Sequence, residues 1–384
     1  MKIKLFAAAA AALVSTGAFA QSSVNLYGVA DAGIEWANNV PGADGKAHSR
    51  VAMQSGNLSG SRWGLRGVED LGGGLKGIFN LESGFGLDTG SSAQGGRLFG
   101  RNAYVGLQGQ WGQVTLGRQQ NLLYDFSLNY DPMSIASRYS IAAQDQYMSG
   151  RADNALKYMG TFGSVSVSAL YAFNRDGQET AGINKLGREW SLGANYAAGP
   201  LGIGVVYDQS QGTYSNVSTL TSAQNFTSAT AFADIKEQRA TIAATYAVGP
   251  AKLFGGYRWY KTNLQTSTTG ALRSNLYWLG AVYQATPALS LTGAAYYQQF
   301  KNINMGNPWL FVVGTDYALS KRTDAYFNLA YAKNSNGSAL GVAGFNGLST
   351  NNPTTLVSTD SQVYSGTNNT HNQFGAVVGV RHKF

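Results

Sequence analysis

A row of cationic side chains runs through the first half of the chain: Arg62, Arg66, Lys76, Arg101, Arg118, Arg151 and Lys157. The acids near them are fewer, namely Asp31, Glu82, Asp125, Asp131 and Asp153. Gathered around one aqueous space, such groups would concentrate anions, and the carboxylates would temper the effect. Nothing beside them suggests covalent or acid–base chemistry. His48, His371 and His382 are the only histidines, and none sits at triad or metal-ligand spacing from another histidine or a carboxylate. No metal, no cofactor and no nucleic-acid partner is expected. The stretch "LGGGLKG" has a superficial likeness to a phosphate loop, but it joins two strand-like segments and no helix follows it. It reads as a hairpin turn.

The elements that must position these charges are strands. Residues 1–20, "MKIKLFAAAAAALVSTGAFA", carry Lys2 and Lys4, an apolar stretch and small residues at Ala18 and Ala20. This is the pattern of a secretory signal peptide cut after Ala20, which leaves a single domain over 21–384. Cysteine is absent, so a small disulfide-stapled scaffold is excluded. Glycine is abundant, with 49 residues, and only 12% of residues are charged, about half the usual share of a soluble domain. Outside the leader there is no apolar run long enough for a spanning helix.

Between Trp190 and Lys333 one pattern repeats four times, as in "EWSLGANYAAGPLGIGVVYDQ" and "RATIAATYAVGPAKLFGGYRWY". A strand runs to a tyrosine (Tyr196, Tyr246, Tyr283 or Tyr317), turns within a few residues, and runs back. Glycine and proline suit those turns, and the units read as β-hairpins. Trp190, Leu192, Ala194 and Tyr196 fall on one parity, and Ser191, Gly193 and Asn195 on the other. A dry face bordered by aromatics and backed by a polar face is the pattern of a transmembrane β-barrel strand. Sixteen segments can be counted, the last being "FGAVVGVRHKF". An even number lets that segment pair with the first, "VNLYGVADAGI", so that no backbone edge is left in lipid. Long connections near 36–56, 119–147, 208–236 and 334–371 read as extracellular loops.

A barrel also decides where the cations point. One facing lipid near mid-membrane costs roughly 2 to 4 kcal/mol, so the seven should line the lumen. Arg66 and Arg118 have a second reading, at strand ends with their heads reaching water. The outward residues of the first strand, Gly28, Ala30 and Ala32 among them, are small, and they are predicted to pack against a second copy. The formal charge of +8 becomes +6 once Lys2 and Lys4 leave.

Several stretches resemble the general porin family of Gram-negative outer membranes, in the subfamily ending in His-Lys-Phe. They include "SSVNLYGVADAGI", "GSRWGLRGVEDLGGGLKGIFNLESGF", "GRLFGRNAYVGL", "GQVTLGRQ", "RADNALKY", "LSKRTDAY" and "GVRHKF", in order along the chain. The resemblance implies a homotrimer of 16-stranded antiparallel transmembrane β-barrels in the outer membrane, among lipid and lipopolysaccharide. Each would hold a water-filled pore, narrowed by an inward-folded third loop, for passive diffusion of small hydrophilic solutes. It places Arg62, Arg101 and Arg151 in a basic ladder at the constriction, with Asp131 as an acid on the loop and Asp125 as a second candidate. Met133 and Ser134 stand where the family often has a further acid, so the acidic side should be thin and anions preferred. Phe384 would be read by the barrel-insertion machinery. An enzyme is not expected, since only His382 could face lipid and it lacks a serine partner. The alternative is a substrate-selective channel of 18 strands with an aromatic track.

Overall fold

The computed structural model describes residues 23–177, 179, 181–212, 235–262, 273–301, 306–335, 338–345, 363, 365–366 and 369–384. The leader predicted at 1–20 lies outside them, as do parts of the connections at 208–236 and 334–371. Strands β1 (Ser23–Pro41), β2 (Ala47–Ser55), β3 (Arg62–Gly72), β4 (Leu75–Gly84), β5 (Asn102–Gly109) and β6 (Gly112–Gln120) come first. After a thirty-residue connection follow β7 (Arg151–Phe162), β8 (Val165–Ala172), β9 (Glu189–Ala198), β10 (Leu201–Gln211) and β11 (Lys236–Val248). Then come β12 (Ala251–Thr262), β13 (Arg273–Gln284), β14 (Leu289–Lys301), β15 (Trp309–Ala318), β16 (Thr323–Lys333) and the C-terminal strand (Gln373–Lys383). Neighbours pair antiparallel, and the C-terminal strand closes the sheet between β16 and β1. Strands β2 and β3 both pair with β1, β3 with its first residues and β2 with its last. They are two parts of one crossing, so the seventeen strands of the sheet make a closed barrel of sixteen.

Two expectations change here. The connection predicted at 36–56 is mostly ladder, because β1 runs on to Pro41 and β2 starts at Ala47. The crossing predicted to begin near Leu58 is interrupted there instead. Gly56 takes a positive φ of 70°, and the Asp31 carboxylate accepts from the backbone N–H groups of Leu58 (2.9 Å) and Ser59 (2.7 Å). A carboxylate replaces the lost ladder bonds at the break, so these partly buried donors are not left without acceptors.

Alternation sets the two faces. Leu192, Ile242, Leu279, Val313 and Val378 are exposed on the outside, where bulk apolar surface suits lipid. Tyr196, Tyr246, Tyr283 and Tyr317 are exposed beside the tight turns. At the other rim Tyr257, Tyr277, Tyr297 and Trp309 follow one another with ring centroids 5.1, 6.2 and 4.5 Å apart. These are the two aromatic belts of a membrane barrel.

The apolar core lies inside the barrel and is built around the connection between β6 and β7. Leu122, Phe126, Tyr139, Ile141 and Tyr147 of that connection cluster with Leu276, Trp278, Tyr296 and Leu310 of the wall. The wall carries glycine where the connection comes closest. A Cβ on Gly204 would lie 2.3 Å from the Tyr130 ring, and one on Gly280 would lie 2.4 Å from Pro132. Bulkier residues would push the connection away from the wall.

The last residue completes the closure. Gly28 donates to the Phe384 carbonyl (2.9 Å) and accepts from its N–H (3.1 Å). The Phe384 ring covers Gly28, and a Cβ there would meet its Cζ at 2.3 Å.

Candidate pore constriction

Residues 121–150 are fastened to well-separated parts of the wall. Asn121 caps a helix over Leu122–Tyr130, its side chain accepting from the Tyr124 N–H. The Tyr130 carbonyl accepts from Trp278 Nε1 on β13 (2.9 Å). Asp131 accepts from the Tyr296 hydroxyl on β14 (2.5 Å) and the Ile135 N–H (2.7 Å). Arg138 and the Tyr139 hydroxyl both reach Glu35 on β1, the latter at 2.7 Å. Tyr147 donates to Ser210 on β10 (2.7 Å). With anchors on β1, β10, β13 and β14, the segment crosses the interior.

Between it and strands β3 to β7 lies a space of about 500 Å³ lined by Arg62, Arg101, Arg151, Glu82, Tyr124 and Gln120, with several serines. Arg62 opens β3 and donates to Ser59 Oγ (3.0 Å) and the Gly60 carbonyl (2.9 Å). Arg101 precedes β5 and holds Glu82 at 2.6 Å, while Arg62 approaches the same carboxylate at 3.4 Å. The Tyr27 hydroxyl adds a bond to Glu82 at 2.9 Å. Arg151 opens β7 over the Tyr124 ring, 5.2 Å from its centroid. Its Nε has no hydrogen-bond partner among the described residues. Three guanidiniums against one carboxylate give this space a net charge of +2.

The remaining predicted residues fall elsewhere. Arg66 lies over the Tyr27 ring at 5.2 Å, further along β3. Lys76 is exposed at the β3–β4 turn, opposite Asp70. Lys157 is buried on β7, bonded to the Gln120 carbonyl (3.0 Å) and to the Asp125 carboxylate. Asp125 thus neutralises a lysine and adds no free charge to the constriction.

Arg118 departs from the lumen reading. It pairs with Ala103 on the face that carries exposed Leu116, and it binds the Gly100 carbonyl and Asp153 at a strand end. Alternation along β6 alone puts it there, two residues beyond Leu116, while the pairing with β7 shifts beside it. Asp131 departs as well, since it is fully buried and turned to the wall. Burial pushes its carboxyl up from 3.8 to about 6, against the lowering effect of Tyr296 and nearby backbone N–H groups. Gly28 is covered by Phe384 of its own chain, whereas Ala30 and Ala32 remain partly open on the outer face. His48 does meet a carboxylate, Asp44, at 2.8 Å, but this is an exposed pair within one turn. No group of acids or histidines able to hold a metal occurs among the described residues.

Sequence reasoning missed the anchors Glu35, Arg138 and Tyr139. It also missed a second arginine group, Arg175 just beyond β8, Arg239 on β11 and Arg258 on β12. The inward parity of Arg239 on β11 was the available signal for that group.

The family model described as Gram-negative porin matches residues 7–337. Outer membrane porin protein 32 of Delftia acidovorans is 32% identical across the whole of both chains. An outer membrane porin protein of Bordetella pertussis is 38% identical over 54% of this chain and 60% of its own. Among solved structures, an anion-selective porin from Comamonas acidovorans superposes with a TM-score of 0.75 at 27% identity, covering 95% of this chain and 100% of that one. A closed barrel of sixteen strands with a charged interior and a lipid-suited exterior accords with each of these likenesses. The chain belongs to the Gram-negative porin family, and its barrel is a passive channel of the outer membrane.

Proposed function

We propose that this channel passes small hydrophilic solutes and prefers anions. The observation that carries the preference is the constriction itself, where Arg62, Arg101 and Arg151 face a single carboxylate, Glu82. The loop supplies no counterweight, because Asp125 is matched to Lys157 and Asp131 is buried against Tyr296. In a narrow pore with low-dielectric walls, uncompensated cations raise the local anion concentration. Charges on outer loops matter less, being screened beyond a Debye length of about 10 Å at 0.1 M salt. The likeness to an anion-selective porin supports the same reading.

The test is the reversal potential of planar bilayers under a KCl gradient. Chloride is expected to be favoured over potassium, and Arg101→Glu combined with Arg151→Glu is expected to weaken or invert that preference. A cation-selective wild-type channel would refute the proposal. We also propose a homotrimer, formed through the small outward residues Ala30 and Ala32 of β1 with the ring of Phe384 beside them. Delivery by a leader over 1–20, and recognition of Phe384 by the insertion machinery, complete the reading.

A further inference from the structure

Among the described residues, Arg175 and Arg258 are the two largest side chains that are fully buried. Arg258 stands on β12, Arg239 on β11 and Arg175 just beyond β8, where its carbonyl accepts from the Asp153 N–H (2.9 Å), and what the three enclose belongs to the loop. The Asp145 carboxylate lies 3.1 Å from Arg258 Nε and 3.4 Å from Arg239 Nε. The ring of Tyr147 lies between two guanidiniums, with Arg239 Cζ 3.7 Å and Arg175 Cζ 3.9 Å from its centroid. The arginines are held in turn by the wall, Arg175 by Glu189 (3.0 Å), Arg239 by Glu237 (3.2 Å) and Arg258 by Ser274 Oγ (2.8 Å).

The path from this cluster to the constriction is short. Asp145 caps the turn over Gln146–Ser149 by accepting from the Tyr147 N–H. The Tyr147 carbonyl accepts from the Gly150 N–H (3.1 Å) and from Asn121 Nδ2 (3.2 Å). The Asn121 N–H binds the Gly150 carbonyl (3.2 Å). Arg151 comes next. Gln146 and Ser149, on the same turn, line the constriction directly.

We infer that Asp145 and Tyr147 are positioning residues for selectivity: the arginines of β11 and β12 and Arg175 beyond β8 clamp them, and through them hold Arg151 over the pore. The clamp sets pore width as well as charge position. Paired and stacked guanidiniums give it a defined geometry that a purely apolar contact would lack. The effect on selectivity rests on the anion preference proposed above, whereas the effect on width does not.

The experiment compares wild type, Tyr147→Leu and Asp145→Asn in planar bilayers, after unheated electrophoresis has shown folded barrels. Released loops are expected to give larger, flickering unit currents and a chloride preference lowered about two-fold, since a wider pore focuses the field less. Arg151→Gln is the comparator, expected to lower the preference at steady current. Folded variants with wild-type conductance and steadiness overturn the inference. Should Tyr147→Leu fail to fold, Asp145→Asn, which keeps the side-chain shape, decides by the same two readings. If wild type itself shows no anion preference, the conductance and flicker still decide for or against the clamp.

Discussion

Asp131 shows how one side chain can be assigned to the right segment and the wrong direction. Its place in "YDP", directly before Pro132, marks it as a loop acid, but its orientation is set by Tyr296, far along the chain, and by the close fit of Pro132 against Gly280. No local periodicity encodes such a contact. By contrast Arg62 and Lys157 sit on strands, where parity alone fixes the face. Asp131 also carries a pH dependence. A folded-state value of about 6 against 3.8 means that the anchored loop binds the proton more tightly than a free one. Its stabilising contribution is therefore fully present below about pH 4 and is lost as pH rises through about 6. A shift of that size corresponds to about 3 kcal/mol. Wild-type unit currents are expected to grow steadier as pH falls from neutrality through 6, whereas Asp131→Asn channels should be steady throughout. Noise spectra at matched voltage, wild type against variant, isolate this group. Its charged surroundings are few: the Tyr296 hydroxyl touches it, and Arg381 and Asp316 line the adjoining recess beside Met133 and Ser134.

Among the elements, the hairpins from β9 to β16 were the most legible, because each joins two alternating runs through a short turn beside a tyrosine, three of them with glycine or proline and the last with Ser320-Lys321. The hairpin of β1 and β2 was not. From Asn38 to Ser49 half the residues are polar and most of the rest are glycine or alanine, so the apolar alternation fades while the ladder continues. The break between β2 and β3 was invisible for a similar reason, as it depends on a carboxylate supplied by β1. The seam of β1 with the C-terminal strand was legible as a pairing, but the fit of Phe384 over Gly28 was not. Gly28→Ala would place a methyl against both that ring and the Arg62 carbonyl. Overpacking of this kind costs about 1 to 3 kcal/mol. The variant should leave its folded form on unheated gels at a lower temperature than wild type. Adding Phe384→Ala should cost less in the variant than in wild type, because the two changes share one contact.

As a whole molecule the porin presents an apolar girdle that is uneven around its circumference. Aromatic rings dominate over β12 to β15, and small residues are found at Ala30 and Ala32 of β1. Small outward residues let barrel walls approach closely. Ala30→Arg is expected to leave barrels folded but shift chemical cross-linking from three-chain to one-chain species. Unchanged trimers would place the contact elsewhere. The barrel's closure also bears on how the protein is made. Gly28 and Phe384 are hydrogen-bonded neighbours separated by nearly the entire length of the chain. Every other strand pairing of the wall joins crossings that follow one another in sequence. A contact of such high sequence separation forms slowly, since the entropy of closing the loop must be met before the contact gives anything back. Closure therefore waits on the final strand, and a chain stopped short of it leaves β1 and β16 with unpaired edges, each a template for aggregation.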